Sequence, residues 1–243
     1  MVTQFTVTGM VLSSAPVGEY DRRIVLLTKE RGKLAAFVKG SRKQHSLLSA
    51  GCRQFSFGKF TMYGGRNSYN VTGMEISEYF EDIQLDIDAV YYGFYFAELA
   101  SYYTMENVPS SEMLALLYVS VNALRKDAIP KKLVRHIYEL KVFAINGEYP
   151  DVFSCADCGS SESLASFAVG KNGVLCDKCK GKQECIDLQT STLYTMQYVI
   201  SADIKKLYNF SVTDEVLTEL SMVMGRWMAK CVDKTFKSLE LID

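Results

Sequence analysis

The rhythm of apolar and polar positions changes near residue 80 of this 243-residue chain. Before that point the apolar residues come in short runs separated by glycine turns, as β-strands require. Val2–Leu12 alternates loosely, and "RIVLLT" at Arg23–Thr28 is a compact run rich in β-formers. "ERGK" (Glu30–Lys33) reads as a turn, and "LAAFVKG" (Leu34–Gly40) as the returning strand. "RQFSFGKFTMY" (Arg53–Tyr63) carries aromatics at Phe55, Phe57 and Phe60. "GGRNS" (Gly64–Ser68) is another turn, and "YNVTGMEISEY" (Tyr69–Tyr79) completes the set. Five strands with no long helix predict a five-stranded Greek-key barrel of the OB type over residues 1–80, with an SH3-like barrel as the structural rival.

From about Glu81 the period becomes helical. "DIDAVYYGFYFAELASYYTM" (Asp86–Met105) has an acidic start suited to a helix N-terminus. "SSEMLALLYVSVNALRK" (Ser110–Lys126) offers Ser110 and Ser111 as N-caps. "PKKLVRHIYELKVFAINGEYP" (Pro130–Pro150) opens on proline and stops at Gly147. Two more helices follow, "TSTLYTMQYVISA" and "TDEVLTELSMVMGRWMAKCVDKTF", the second capped by Thr213 and Asp214. The predicted class is α+β and multidomain: the barrel at 1–80, then an α-helical domain at 81–243 with a cysteine module inserted at about 151–185. Tyr91, Tyr92, Phe94, Tyr95, Phe96, Tyr102 and Tyr103 share one long helix and read as core, not as a base-stacking surface; Met222, Met224 and Met228 read the same way.

Composition and charge narrow the function classes. The longest apolar runs, such as "LALLYVSV" (Leu114–Val121), fall well short of the roughly 20 residues a membrane span needs. The N-terminus has no basic leader, so it does not read as a signal peptide. Seven cysteines in such a chain point to a reducing cytoplasmic setting. Net charge is −1, but residues 1–80 hold eleven basic and five acidic side chains, against sixteen and twenty-three in the rest. A basic first third suggests contact with a polyanion; chance segregation of solvated charge is the plain alternative.

Four cysteines, Cys155, Cys158, Cys176 and Cys179, form two Cys-x-x-Cys pairs separated by seventeen residues. Two intervening residues bring both sulfurs of a pair to one side of a tight loop, and two facing knuckles complete a tetrahedron. This spacing fits a zinc ribbon. Four thiolates with no open position describe one structural Zn2+ rather than a catalytic ion. Thioredoxin-like chemistry would need a pair at a helix N-terminus in an α/β domain, and two disulfides would need an oxidising compartment. Cys185 is a substitute ligand outside the pair pattern, and Cys52 and Cys231 read as buried thiols. Lys171, Lys178, Lys180 and Lys182 are offset by Asp157, Glu162, Asp177 and Glu184, so the module reads as a staple and not as the nucleic-acid surface.

No Walker loop, HExxH or G-x-S-x-G motif is present, and the two histidines, His45 and His136, offer little for acid–base work. The chain is therefore not expected to be an enzyme. The basic constellation lies in "DRRIVLLTKERGKLAAFVKGSRKQHS" (Asp21–Ser46), a hairpin whose ends present Arg22, Arg23, Lys39, Arg42 and Lys43. Such a patch could follow a phosphate backbone without reading bases; a solvated hairpin is the alternative. A second cluster, Lys131, Lys132, Arg135 and Lys141 beside Ile137 and Val142, suggests a basic-rimmed apolar groove for an acidic, apolar partner tail, or simply a solvated helix face.

Taken in order, "TVTGMVLSS", "GEYDRRIVLLTKERGKLAAFVKGSRK", "GCRQFSFGKFTMYGGRNSYNVTGMEISEYF" and "CADC…CDKC" resemble the RecO family of DNA repair and recombination mediators over essentially the whole chain. The resemblance implies an OB-fold followed by a helical bundle with a zinc module. It implies a non-enzymatic bacterial protein, cytoplasmic and nucleoid-associated, that binds single- and double-stranded DNA and anneals complementary strands. With RecR, such a protein helps RecA replace single-stranded DNA-binding protein (SSB) on gapped DNA, and it docks on the C-terminal tail of SSB. By position, the family's DNA-binding role falls on Arg22, Arg23, Lys39, Arg42 and Lys43. The rival readings are a zinc-ribbon transcription or RNA-binding factor and an enzyme that holds nucleic acid on its barrel.

Overall fold

A computed structural model describes residues 4–64, 68–181 and 184–242. Val2 and Thr3 of the opening strand, the Gly65–Asn67 part of the expected turn with Arg66, and Lys182 lie outside the described residues. The chain packs as two compact units, Met1–Arg125 with Phe236–Asp243, and Lys126–Thr235.

The first unit opens with β1 (Gln4–Val17), β2 (Asp21–Thr28) and β3 (Gly32–Val38), followed by β4 (Phe57–Gly64) and β5 (Tyr69–Glu78). They close into a barrel in the order β1-β2-β3-β5-β4, which is the OB fold. Closure needs one parallel step, made by Ala36 and Phe37 against Tyr69 and Asn70. All other neighbours are antiparallel. Strand alternation sends Ile24, Leu26, Leu34, Ala36, Phe60 and Met62 into the barrel core. Phe60 fills the barrel, whereas Phe55 and Phe57 leave it to pack on Phe94 (6.1 Å between centroids) and Tyr118 (4.7 Å).

Those partners lie on α1 (Ile87–Tyr103) and α2 (Ser111–Ala123). Asp86 caps α1 by accepting from the Ala89 amide. Ser110 holds the N-cap position of α2, but its hydroxyl donates to the Val108 carbonyl instead of capping. Tyr92, Tyr95 and Phe96 are buried as core, Phe236 packs on Tyr95 and Tyr102, and Tyr91, Phe94, Tyr102 and Tyr103 are half-buried. The α1–α2 connection seizes the β2–β3 turn: Lys33 N donates to Met105 O, Asn107 N to Arg31 O and Ser110 N to Lys29 O. Gly32, at φ +62°, is required there, because a Cβ would lie 2.1 Å from the Met105 carbonyl oxygen.

The second unit is built on α3 (Lys131–Asn146), α4 (Thr190–Ser201) and α5 (Asp214–Cys231), which pack pairwise. Pro130 precedes α3, and Gly147 ends it in the left-handed region. Thr213 caps α5. Between α3 and α4 the chain makes a small antiparallel sheet in the order β7-β6-β8, from β6 (Leu164–Ala168), β7 (Gly173–Cys176) and β8 (Ile186–Asp187). The sheet leans on α5: Phe167 of β6 meets Trp227 edge-on at 5.9 Å. Met224 is buried as expected, but Met222 is 47% exposed, since it falls on the solvent face of α5 two residues from Met224.

Candidate nucleic-acid interface and metal centre

The β2–β3 hairpin has a fixed end and a free end. Its turn is held by the α1–α2 connection, where Lys33 Nζ also donates to the Ser101 carbonyl and the Arg31 guanidinium lies 4.1 Å from the Phe5 ring centroid. The other end lies about 23 Å away along eight residues of β2. There Arg22 pairs in register with Val38, and Arg23 with Phe37, which places Lys39 and the following turn beside them. The Gly40 amide donates to Asp21 Oδ1 (2.8 Å), with Gly40 at φ +66°. Arg42 donates through its backbone N to Tyr20 O and through Nη1 to Gly18 O (3.1 Å), and Lys43 Nζ lies 5.6 Å from the Tyr20 ring centroid. All five expected residues thus reach one end of the barrel.

They do not face alike. Arg23, Lys39, Arg42 and Lys43 are exposed, whereas Arg22 shares the inward face of β2 with Ile24. Arg22 Nη1 donates to Ser14 Oγ (3.3 Å). Two further residues belong to this end that the charge pattern did not single out. Tyr20 is an exposed aromatic against Lys43, and Arg53, in the turn before β4, pairs with Glu81 at 2.6 Å. The signal for Tyr20 was its place in the "GEYD" turn directly before Arg22.

In the second unit the four expected cysteines converge, their sulfurs all within 4.8 Å of one another. Cys158 Sγ and Cys176 Sγ are 3.7 Å apart, too far for a disulfide and close enough to share an ion. Each pair forms a knuckle: Gly159 N donates to Cys155 O, and Cys179 N and Lys180 N donate to Cys176 O. The Cys176 amide also donates to Cys155 Sγ (3.4 Å). Burial pushes the Cys155 thiol up, but the amides of Cys158, Cys176 and Asp157 outweigh it and bring it down to about 6. Cys179 is pushed up to about 12 by hydrogen bonding to the Cys158 and Cys176 sulfurs. Four thiols in one shell cannot all ionise unless a cation compensates them, and a cation is what this donor set can hold. Cys185 packs against the cluster without joining the four-sulfur group. Lys171 pairs with Asp157, and Lys180 with Asp187.

The basic-rimmed apolar groove expected on α3 does not form from the four residues named for it. Lys141 is only 8% exposed, and its ammonium donates to the Ile200 and Ala202 carbonyls (2.8 and 2.7 Å), closing the C-terminus of α4. Arg135 turns inward to Glu139 (2.9 Å). Ile137 and Val142 are buried among the helices, so they cannot floor a groove. Of the four, Lys132 is exposed and Lys131 half-buried.

Sequence reading also missed a buried chain of polar groups. Glu139, 1% exposed, accepts from Arg135 and meets His136 Nδ1 at 2.9 Å, while His136 Nε2 lies 3.0 Å from Ser221 Oγ on α5. The order Ser–His–Glu follows that of a hydrolase triad. Ser221, however, donates its only hydroxyl proton to the Leu217 carbonyl (2.6 Å), so the oxygen is held by its own helix and not activated by the histidine. The i,i+3 and i,i+4 spacing of His136 and Arg135 to Glu139 was visible in the sequence, but the burial that gives it meaning comes from α5.

The comparisons with known proteins agree with this architecture. The family model for the recombination protein O N terminus matches residues 1–80, and that for the recombination protein O C terminus matches residues 84–240. The DNA repair protein RecO of Acetivibrio thermocellus is 30% identical over 239 residues, covering 97% of this chain and 94% of the relative. That of Bacillus subtilis is 28% identical over 238 residues, covering 97% and 92%. With both halves matched and the barrel, helices and cysteine cluster in place, the chain belongs to the RecO family of DNA repair proteins.

Proposed function

We propose that this protein is a recombination mediator that binds single- and double-stranded DNA across the free end of its barrel and anneals complementary strands. With RecR it would help RecA replace SSB on gapped DNA in the bacterial cytoplasm. The observation that carries the reading is the convergence of Arg22, Arg23, Lys39, Arg42 and Lys43 at the end of the hairpin that the helices do not hold. Binding there is non-enzymatic and electrostatic: cations placed along a phosphate track, with Tyr20 offering a ring for one base.

The ion of the cysteine cluster is proposed to be one structural Zn2+. Tetrahedral thiolates at about 2.3 Å from zinc lie about 3.8 Å from each other, and Cys158 and Cys176 are 3.7 Å apart. When bound, the ion would offset half of the charge of four thiolates and lock the two knuckles; Cys155, Cys158, Cys176 and Cys179 would hold it. Pairing of Lys171 and Lys180 within the module weighs against the zinc-ribbon transcription or RNA-binding alternative. A contact of α3 with the acidic tail of SSB would have to use Lys132 and Lys131, since Lys141 and Arg135 serve the helix packing.

The test is annealing of complementary oligonucleotides, bare and SSB-coated, by wild type and by Lys39→Glu/Arg42→Glu/Lys43→Glu, with binding titrated against salt. Each single-strand phosphate that is no longer neutralised flattens the log–log slope by about 0.7, so the slope of the triple variant should be flatter by about 2. Unchanged annealing and slope in a folded triple variant would remove the barrel end as the DNA surface.

A further inference from the structure

A cavity of about 300 Å³ opens at the same end of the barrel, lined by Ser14, Arg22, Ser49, Cys52, Arg53 and Gln54. Two guanidinium groups, two hydroxyls and an amide therefore face one small space, and none of these six residues is acidic. Among the described residues the one carboxylate paired with this set is Glu81, which holds Arg53 through an exposed contact and leaves that guanidinium four further N–H donors. Arg22 is the telling residue. Its Nη1 donates to Ser14, but its Nε is buried and has no hydrogen-bond partner among the described residues. Native proteins seldom leave a buried donor unpaired, and a charged one is costlier still. Because Ser14 Oγ accepts from Arg22, its own proton is free to point toward the same acceptor.

A lining rich in donors and free of carboxylates suits a tetrahedral oxyanion, whose oxygens accept and never donate once ionised. We propose that the cavity seats a phosphate group, and that in the DNA complex this is one diester of the strand that runs over Lys39, Arg42 and Lys43. Arg22 and Arg53 supply the charge, and Ser14, Ser49 and Gln54 supply neutral hydrogen bonds. The proposal rests on the barrel end being the DNA surface and adds to it a fixed anchor built from β1, β2 and the turn before β4. An exposed cation in a mobile side chain can neutralise any phosphate that passes. A half-enclosed Arg22 instead demands one in place, and that would set the register of the strand on the barrel.

The experiment follows the Nε–Hε resonances of the arginines in the full-length protein, with Arg22 assigned from its disappearance in Arg22→Lys. Three probes are titrated at matched ionic strength against chloride: inorganic phosphate, an oligothymidylate with hydroxyl ends, and the same strand carrying a 5′ phosphate. The expected result is a saturable shift of Arg22 Nε–Hε with inorganic phosphate and with both strands alike. The Arg22→Gln/Arg53→Gln protein should then bind the strand about tenfold more weakly, with a salt slope flatter by about 0.7 for each phosphate no longer neutralised. No shift with any probe overturns the site. A shift with inorganic phosphate and the 5′-phosphorylated strand only overturns the diester assignment. The Lys39→Glu/Arg42→Glu/Lys43→Glu protein separates this proposal from its premise. If the triple variant no longer binds DNA while Arg22 Nε–Hε stays still in wild type, the anchor fails alone. If the triple variant binds DNA like wild type, the premise fails.

Discussion

Replacing Glu139 by Gln should unfold the second unit more readily than any exposed charge change in it. Glu139 is 1% exposed and lies between Arg135 and His136, each 2.9 Å from one of its oxygens. The substitution keeps the size of the side chain and removes an anion from a buried group that includes a guanidinium. Breaking one partner of such a buried pair costs about 3–5 kcal/mol, because the remaining charge is left without compensation. The chain's single tryptophan, Trp227, is 4% exposed on α5 and donates to Glu148 O, so its fluorescence reports on this unit. With a urea slope of about 2 kcal/mol/M, the midpoint of the Trp227 transition should fall by about 1.5–2.5 M. Glu184→Gln, which breaks the exposed pair with Arg226, should shift it by less than about 0.5 M. A second signature is pH. Burial pushes the Glu139 carboxyl up, but the hydrogen bond and charge of His136, then of Arg135, bring it below the ordinary carboxylate range. Its contribution is therefore complete above the unfolded value of about 4.3 and is lost as pH falls through the lower folded value. Equal midpoints for Glu139→Gln and Glu184→Gln would refute the reasoning.

Three further outcomes are expected. Chelation should free the cysteine module from α5 and change Trp227 emission by drawing Phe167 away from the indole; Cys176→Ser should reproduce this and Cys185→Ser should not, as read by fluorescence and metal content. Gly32→Ala should lower the thermal midpoint of the barrel unit by several degrees, since it places a Cβ against the Met105 and Val108 carbonyls at positive φ; a change under about 1 kcal/mol would mean that the α1–α2 connection does not fix the turn. Lys141→Met should cost about 1–3 kcal/mol in the Trp227 transition by orphaning the Ile200 and Ala202 carbonyls, whereas Lys132→Met should be near neutral.

Local signals carried most of the fold. Glycines at 32 and 147 sit at positive φ where turn and helix-stop patterns placed them, and the two Cys-x-x-Cys pairs converge as their spacing predicted. The pattern failed where a side chain's role depends on a distant neighbour. Lys141 looked like surface charge because a lysine three turns into a helix usually is, but the end of α4, some sixty residues later, takes its ammonium as a cap. Met222 looked like core because apolar residues around it are, yet helical rotation turns it outward. His136 read only as offering little for acid–base work and Glu139 was not singled out, because their burial comes from α5. The misses at Lys141, Glu139 and His136 involve packing between helices remote in sequence, which neither period nor composition encodes; that at Met222 does not, since its outward turn follows from the helical period itself.

The barrel shows the same dependence in a form that bears on function. Residues 1–80 were basic as a group, yet their charges have different employments. At the turn end of the hairpin, Lys33 is tied to a carbonyl of α1, which helps to fix the barrel on that helix, and Arg31 lies over the Phe5 ring of β1. At the free end Arg23, Lys39, Arg42 and Lys43 are exposed, and Arg22 is half-buried and lines a small cavity. Anchoring one end of a two-stranded ribbon holds the backbone of the other end in a defined position, so on the proposed function the backbone that carries the free-end cations need not be ordered anew when a strand arrives. Less backbone freedom would then be given up on binding, which raises affinity without adding charge. On the proposed function, a chain with net charge −1 can therefore carry a polyanion surface, because position along the hairpin separates the cations used in packing from those left exposed for DNA.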